Sequence, residues 1–343
     1  MSIKLEPLNR RQPLKTLDMH TAGEPLRIVR SGYPEIPGDC MLSKRRYLQQ
    51  HLDHLRKLLM LEPRGHADMY GAVLTDPVTP DGDFGVLFMH NEGYSSMCGH
   101  GILAIVTALL ECGDLILLQD ECRTLRIDSP AGRITAYAKN TAQGPEVSFD
   151  SVPSYVDKEN LTFNLPGIGQ VRSDIAFGGA YYAFIDADEL NLECSAENAV
   201  KLIDLGRRCK EAINQIYSVK HPLSADLSFL YGVIFTSMNV ADERSHSRHA
   251  CVFADGELDR SPTGTGVSAR MALLHHQHKA PLNRSIDIEG IAALPMRVYG
   301  HSEQDFHGKS ALIPRVSGRA YITGQHQFIL DPSDPLSQGL FIR

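Results

Sequence analysis

Two short segments constrain this chain more than any other feature. "SMCGHG", residues 96 to 101, and "SPTGTG", residues 261 to 266, share one build: small residues, two glycines separated by one position, then an apolar helical run. A glycine turn that opens a helix leaves backbone N–H groups unpaired at the positive end of the helix dipole, where an anion is held well. Cys98 and Thr263 occupy matching places in the two turns, and 263 minus 98 is 165 positions, about half of the 343-residue chain. This layout predicts two similar halves, each a strand-rich shell around one central helix. Both helix N-termini would then face a shared cleft. Only the first turn carries a thiol.

The rest of the chain reads as strands with two further helices. "LKTLDMH" and "PLRIVRS" flank the turn "TAGEP"; "MYGAVLTDP", "FGVLFMHNE" and "GPEVSFDSVP" are strand-like, and "TLRIDSPAGRITAYA" is a hairpin turning at "SPAG". "SKRRYLQQHLDHLRKLLM" is an amphipathic helix with Leu48, Leu52, Leu55 and Leu59 on one face and Ser43 as cap. Its basic residues read as a solvated face. "SVPSYVDKENL" reads as a crossing between domains. In the second half, strands surround the double glycine of "DIAFGGAYYAF", and "SAENAVKLIDLGRRCKEAINQIY" is a long helix capped by Ser195. "LYGVIFTSM", "RHACVFADGELD" and the tail "GRAYITGQHQFIL" are strand-like. The division that follows is a flexible segment 1–13, a first domain 14–158 plus about 328–343 carrying Cys98, and a second domain 159–327 carrying Asp259 and Thr263.

Composition narrows the class. With 43% hydrophobic and 22% charged residues the chain has the make-up of an ordinary globular protein. A net charge of -7 argues against a general nucleic-acid binder. "MSIKLEPLNRRQ" contains no apolar signal region, and "GILAIVTALL" is too short to span a bilayer. The seven cysteines include no CxxC pair, which points to free thiols in a reducing, cytoplasmic setting.

Cys112, Cys194, Cys209 and Cys251 read as buried structural cysteines. Cys98 differs because it sits between small residues at a helix N-terminus, where the dipole favours a thiolate. His100 is two positions away, which permits cysteine–histidine chemistry without requiring it. The second turn has two readings. In one, Thr263 or Thr265 caps the helix and Asp259 complements its dipole. In the other, the N–H groups of Gly264 and Thr265 cradle a carboxylate and Asp259 meets a substrate ammonium. The turn lacks the Gly-Lys-Ser/Thr ending of a phosphate loop. His275, His276 and His278 on one helix, and "HSRH" at 246–249, have no carboxylate or cysteine at ligand spacing, so no metal site is expected.

"DMHTAGEP", "EPRGHADMYGAV", "HNEGYSSMCGHG", "DIAFGGAYYAF" and "DRSPTGTGVSAR" together resemble, in order, the signature segments of the proline racemase family, from about Leu14 to the C-terminus. The resemblance implies an α/β (α+β) fold of two pseudosymmetric diaminopimelate-epimerase-like domains, with the active site in the cleft between them. It implies no cofactor and no metal, a small imino-acid substrate, no nucleic-acid or membrane partner, and a homodimer. Racemases and epimerases of the family use a cysteine from each turn, one to remove the Cα proton and one to return it. Cys98 matches the first. Thr263 stands where the second cysteine would be. The Cys/Thr pairing resembles the branch that dehydrates trans-3-hydroxy-L-proline to 1-pyrroline-2-carboxylate. By the same resemblance, Gly99, His100, Gly264 and Thr265 bind the substrate carboxylate and Asp259 receives the ring nitrogen; the adjacency of His100 to Cys98 adds the expectation that it helps the thiol. His66 and Asp68 lie in a family segment without an assigned role. Phe177 and Tyr181 flank the double glycine and belong either to the ring pocket or to the core.

Three rival readings stay open on sequence alone. One is a 4-hydroxyproline epimerase or proline racemase with an altered second residue. Another is an imino-acid-binding protein without catalysis. The third is a cysteine–histidine hydrolase.

Overall fold

The structure, a computed structural model, describes residues 13–342. The expected flexible segment 1–13 lies outside them, Pro13 apart. In the first half, β1 (Leu14–Thr21) and β2 (Glu24–Ser31) form an antiparallel hairpin. Its turn residues Ala22 and Gly23 have φ of 51° and 90°. Helices α1 (Met41–Tyr47) and α2 (Asp53–Met60) then cross to β3 (Tyr70–Thr75), which runs parallel to β2. β4 (Phe84–His90) is antiparallel to β3 and carries the two-residue β5 (Tyr94–Ser95). The central helix α3 (Gly99–Glu111) leads to β6 (Cys122–Ser129), parallel to β4. β7 (Gly132–Thr141) and β8 (Gly144–Asp150) complete an antiparallel meander.

β9 (Ser154–Leu165) passes to the second half, where every step recurs. β10 (Gly169–Phe177) and β11 (Tyr181–Asp186) are antiparallel. Helix α4 (Ala199–Ile216) crosses to β12 (Leu230–Ser237), parallel to β11. β13 (Ser247–Phe253) is antiparallel to β12 and carries the short β14 (Glu257–Asp259). The central helix α5 (Gly264–His276) leads to β15 (Ile286–Glu289), parallel to β13. β16 (Pro295–Phe306) and β17 (Lys309–Gly318) complete the second meander. β18 (Ala320–Phe328) then returns to pair with β1.

These pairings close two rings. β9 pairs with both β10 and β17, which closes the second. β17 pairs with β8, and its continuation β18 pairs with β1, which closes the first. The two halves are therefore pseudosymmetric pairing by pairing. Each ring wraps one helix: α3 packs on β1, β2, β7, β8 and β18, and α5 on β9, β10, β11, β16 and β17. Ile102 to Val106 are all buried. A helix that is apolar on every side has to be enclosed. The expected domain boundaries at 158/159 and about 328 fall inside β9 and β18. The pairings put the crossings at 151–153 and at Arg319 instead.

Several local expectations are corrected. Cys40, not Ser43, caps α1: the Cys40 side chain accepts from the Ser43 N–H while Ser43 Oγ accepts from the Cys40 N–H. The helix expected over 43–60 is broken by a wide turn at Leu48–Leu52, although Leu48, Leu52, Leu55 and Leu59 are buried together. Ser195 makes no side-chain cap; it precedes a single tight turn, Ala196–Asn198, and α4 begins after that. Cys194, Cys209 and Cys251 are buried, Cys112 is only partly buried, and all seven cysteines are free. Among the described residues no helix is long and apolar enough to cross a membrane.

Candidate active site

The two glycine turns meet. A Cβ added to Gly99 would stand 2.5 Å from Gly264 Cα, and one added to Gly264 would stand 2.4 Å from Gly99 Cα. The helix N-termini touch backbone to backbone, and only glycine permits that approach. Neither side can yield by turning a side chain. Gly99→Ala should therefore push the rings apart, lower stability by about 1–3 kcal/mol and depress turnover as well. Thermal unfolding and steady-state kinetics on the same preparation check both.

A narrow cavity opens at this contact. Cys98, Gly99, His100, Asp259, Thr263, Gly264 and Thr265 all line it, so the structure gathers every expected site residue in one place. Its apolar wall is Tyr70, Tyr182, Tyr231 and Phe253. Phe177 and Tyr181 are not in that wall. They pack against Tyr155, and Tyr181 exchanges a hydrogen bond with the Tyr155 hydroxyl at 2.6 Å. The core reading of these two is the one observed, and the neighbouring Tyr182 faces the cavity.

Cys98 is the N-cap of α3 and its sulfur accepts from the Gly101 N–H at 3.2 Å. The thiol is buried. Burial drives it well above the ordinary thiol range, the Gly101 N–H opposes that shift, and the nearby Asp259 and Glu24 carboxyls add to it. This reverses the expectation that the helix end favours a thiolate: loss of water outweighs the dipole. His100 Nδ1 lies 3.2 Å from the sulfur. Burial lowers the imidazole, although Asp259 and a hydrogen bond to the Pro25 carbonyl raise it. A neutral imidazole that donates to one partner offers an acceptor to another, so a thiol facing an acceptor is the resting arrangement. The His100 carbonyl is held by the Thr21 hydroxyl at 2.9 Å.

Thr263 occupies the N-cap position of α5 at φ 69°, yet its side chain makes no cap. The hydroxyl donates to Asp259 Oδ2 at 2.8 Å. Asp259 Oδ1 accepts from the Ser261 N–H at 2.8 Å. Thr265 does not cap either; its hydroxyl pairs with Tyr182 at 2.6 Å. The capping reading of the second turn is thus replaced by one in which both threonines belong to side-chain networks around the cavity. Behind Thr263 lies the buried Cys251 thiol, hydrogen-bonded to the threonine and driven up mainly by burial.

The part played by several residues at the ring junction escapes sequence reasoning, which names Asp68 without a role and passes over the others. Asp68 of the first ring accepts from the Leu258 N–H at 3.2 Å, and its carbonyl accepts from Arg260 at 3.2 Å, so it steadies the strand that bears Asp259. His90 and the fully buried Glu257 pair across the rings at 3.0 Å. Glu24, from the turn "TAGEP", accepts from the Arg260 N–H at 2.7 Å. Glu24 and Arg260 are 236 positions apart, and no local pattern announces such a contact. His66 is exposed, and its ring nitrogen reaches only the adjacent Ala67 carbonyl. Two histidines of α5 are turned to carboxylates outside the cavity: His275 pairs with Glu303 and His276 with Glu159.

Comparison with known proteins agrees with this architecture. A family model described as proline racemase matches residues 16–341. A trans-3-hydroxy-L-proline dehydratase of Colwellia psychrerythraea is 46% identical over 96% of this chain and 93% of its own length. A human protein of the same name is 43% identical over 96% and 95%. A crystal structure of a hydroxyproline epimerase from Agrobacterium vitis, with bound trans-4-hydroxy-L-proline, superposes with a TM-score of 0.88 at 30% identity, covering 96% of each chain.

Proposed function

The chain belongs to the proline racemase family, and on that premise we propose that it dehydrates trans-3-hydroxy-L-proline to 1-pyrroline-2-carboxylate without a cofactor. The observation that carries this reading is the hydroxyl of Thr263, committed to Asp259 at 2.8 Å in the place of a second acid. A group so held has no proton to return to Cα, and an alcohol beside a carboxylate is a poor base. Once Cα is deprotonated, the electron pair needs another outlet, and a hydroxyl on C3 supplies it.

In this mechanism the substrate carboxylate lies at the joined helix N-termini, against Gly99, His100, Gly264 and Thr265. The dipoles stabilise the charge that develops on it as the Cα–H bond breaks. Asp259 takes the ring ammonium. Cys98 accepts the Cα proton through sulfur, after its own proton has moved to His100 Nδ1. In the trans-3-hydroxy-L isomer the hydroxyl is on the same ring face as the Cα hydrogen. Cys98, now a thiol, is therefore on the correct side to protonate the departing hydroxyl. The Cα–H and C3–O bonds break, a Cα–C3 double bond forms, water leaves, and the enamine tautomerises to the imine. Thr263 serves to fill space and orient Asp259. The two rings act as the working domains, and free thiols suit a reducing, cytoplasmic setting.

The epimerase relative makes 4-hydroxyproline epimerisation the second reading. Assay with trans-3-hydroxy-L-proline, trans-4-hydroxy-L-proline and L-proline separates them. Ketimine trapping should report product from the first alone, and optical rotation should stay unchanged with the other two. Dehydration should also survive dialysis against a chelator. Activity lost on dialysis and restored by a divalent metal would refute the cofactor-free mechanism.

A further inference from the structure

The short strand β14 belongs to the second ring, yet the first ring holds it on both sides of Asp259. Asp68 takes the Leu258 N–H, and Glu24 takes the N–H of Arg260, the next residue. The third tie is the pair of His90 and Glu257, both buried. His90 Nδ1 lies 3.2 Å from Glu257 Oε1 and 3.0 Å from Oε2. A carboxylate only accepts, so Nδ1 carries the proton of this bond. The Glu92 N–H is 3.3 Å from both Nδ1 and Oε1, and with Nδ1 protonated it serves Glu257. The His90 end is anchored in the first ring: Arg56 donates to the His90 carbonyl at 2.9 Å.

Two consequences of strand geometry make this tie different from the others. Side chains alternate along a strand, so Glu257 and Asp259 share one face of β14. Their direct partners on β13 are Phe253 and Cys251. Backbone N–H bonds of a strand lie in the plane of the sheet, whereas side chains stand across it. The bonds to Asp68 and Glu24 therefore fix where the strand runs. The bond to His90 resists its rotation about its own axis, the motion that would swing Asp259 away from the cavity. We propose that His90 is a positioning residue whose Nδ1–H holds Glu257 and so keeps Asp259 aimed at the ring nitrogen of the substrate.

The imidazole also backs the cavity wall. It stacks on Tyr70 with centroids 5.7 Å apart and meets Phe253 edge-on at 5.9 Å. Tyr70 in turn stands edge-on to His100 at 5.1 Å. Tyr70, Phe253 and His100 line the cavity, and His90 acts on it only through them and Glu257. The two parts of the side chain can be separated, because the ring supports the wall and the N–H holds the strand.

The proposal rests on the reading above that Asp259 receives the ring ammonium. An ammonium depends strongly on where that carboxylate points, and an uncharged ring nitrogen depends on it less. The test is calorimetric titration of the intact chain with L-proline, whose nitrogen is charged, and with pyrrole-2-carboxylate, whose nitrogen is not. The readout is the ratio of the two Kd values, L-proline over pyrrole-2-carboxylate. His90→Phe keeps a ring against the wall and has no donor; it should raise the ratio about tenfold, the scale of one lost hydrogen bond to a charged group. His90→Asn places an amide N–H where Nδ1 stands and should leave the ratio within about threefold of the parent. A histidine that only supports the wall would shift both ligands together and leave the ratio fixed. Should His90→Phe fail to fold around the stranded carboxylate, His90→Phe/Glu257→Gln removes the buried charge, and the same rise is expected of it. Asp259→Asn tests the reading underneath and should raise the ratio too. A ratio moved by Asp259→Asn and not by the phenylalanine variant overturns the positioning role alone, as does asparagine at position 90 being as damaging as phenylalanine. A ratio that neither Asp259→Asn nor the phenylalanine variant moves overturns the ring-nitrogen reading and the proposal with it. L-proline has no hydroxyl to lose, so the comparison holds whether or not the chain dehydrates the 3-hydroxy acid.

Discussion

Cys98→Ser should lower kcat/KM for dehydration by about 10²–10⁴-fold, the range spanned by removal of a positioned base, while leaving the thermal transition near that of the parent. In the proposed mechanism the sulfur, which lines the cavity beside the joined helix ends, takes the Cα proton. Its pair with His100 at 3.2 Å gives the thiol proton somewhere to go. A serine hydroxyl in the same buried place is a far weaker acid than a thiol, so the same imidazole, itself lowered by burial, cannot make an oxyanion from it. The pH profile follows from the same facts. The competent form is the Cys98–His100 pair holding one proton between them; burial raises the thiol and lowers the imidazole, which widens the pH range of that form. Parent activity should therefore stay level from neutral pH into the alkaline range and fall only in acid, below the ordinary histidine range, as the imidazole takes up a second proton. Chemical labelling needs care. Cys40 is exposed and its thiol is lowered by hydrogen bonds from Ser43, so it should alkylate first, with no loss of activity. Inactivation should track the slower labelling of Cys98, and pyrrole-2-carboxylate should block only that step. Near-parent turnover in the serine variant would remove Cys98 from the mechanism.

How far the sequence could be read depended on whether each signal was local. The helix α3 carries its own instructions: a cysteine cap, two glycines, then an apolar run that has to be enclosed. The two turns and their spacing foretell two similar halves, and the pairings of the two rings repeat in order. β16 and β17 were not legible. Alternation is lost in the second half of β16, where residues 303–305 are exposed, and a bulge shifts the register of the pair between Gly300 and Ser302. The site divides the same way. Cys98, His100 and Thr263 stand beside glycines that mark them. Glu24, Asp68, His90 and Glu257 matter only because two distant stretches meet, and a turn residue such as Glu24 looks like any solvated acid until its partner is in view. The thiol's protonation is not legible for a related reason. A helix end is visible in sequence, but the loss of water that outweighs it is a property of the folded site.

Thr263→Cys should gain epimerisation of trans-4-hydroxy-L-proline over the parent. At present the residue's hydroxyl points its proton at Asp259, and the buried Cys251 thiol lies beside it. Cysteine at this position is smaller, is not β-branched, and sits at a backbone φ of 69° that a branched side chain tolerates poorly. Its sulfur would face the cavity from the second helix end, opposite Cys98, with a proton to give. Cα of bound trans-4-hydroxy-L-proline, stripped by Cys98, could then be reprotonated on the other face, and epimerisation should become measurable. The neighbouring Asp259 opposes ionisation of the new thiol, which keeps it in the acid form the return step needs. The Cys251 thiol neighbours residue 263, so the assay belongs under reductant and in parallel with Thr263→Cys/Cys251→Ala. Solvent deuterium gives the clearest readout. The variant should place deuterium at Cα with inversion, whereas the parent should show exchange with retention or none. Dehydration of the 3-hydroxy substrate should continue at a reduced rate, since Cys98 is untouched and only the orientation of Asp259 has lost a donor. A parent that already inverts 4-hydroxyproline as fast as the variant would mean that some other group returns the proton, and the commitment of the Thr263 hydroxyl to Asp259 would then no longer explain why elimination is the outlet.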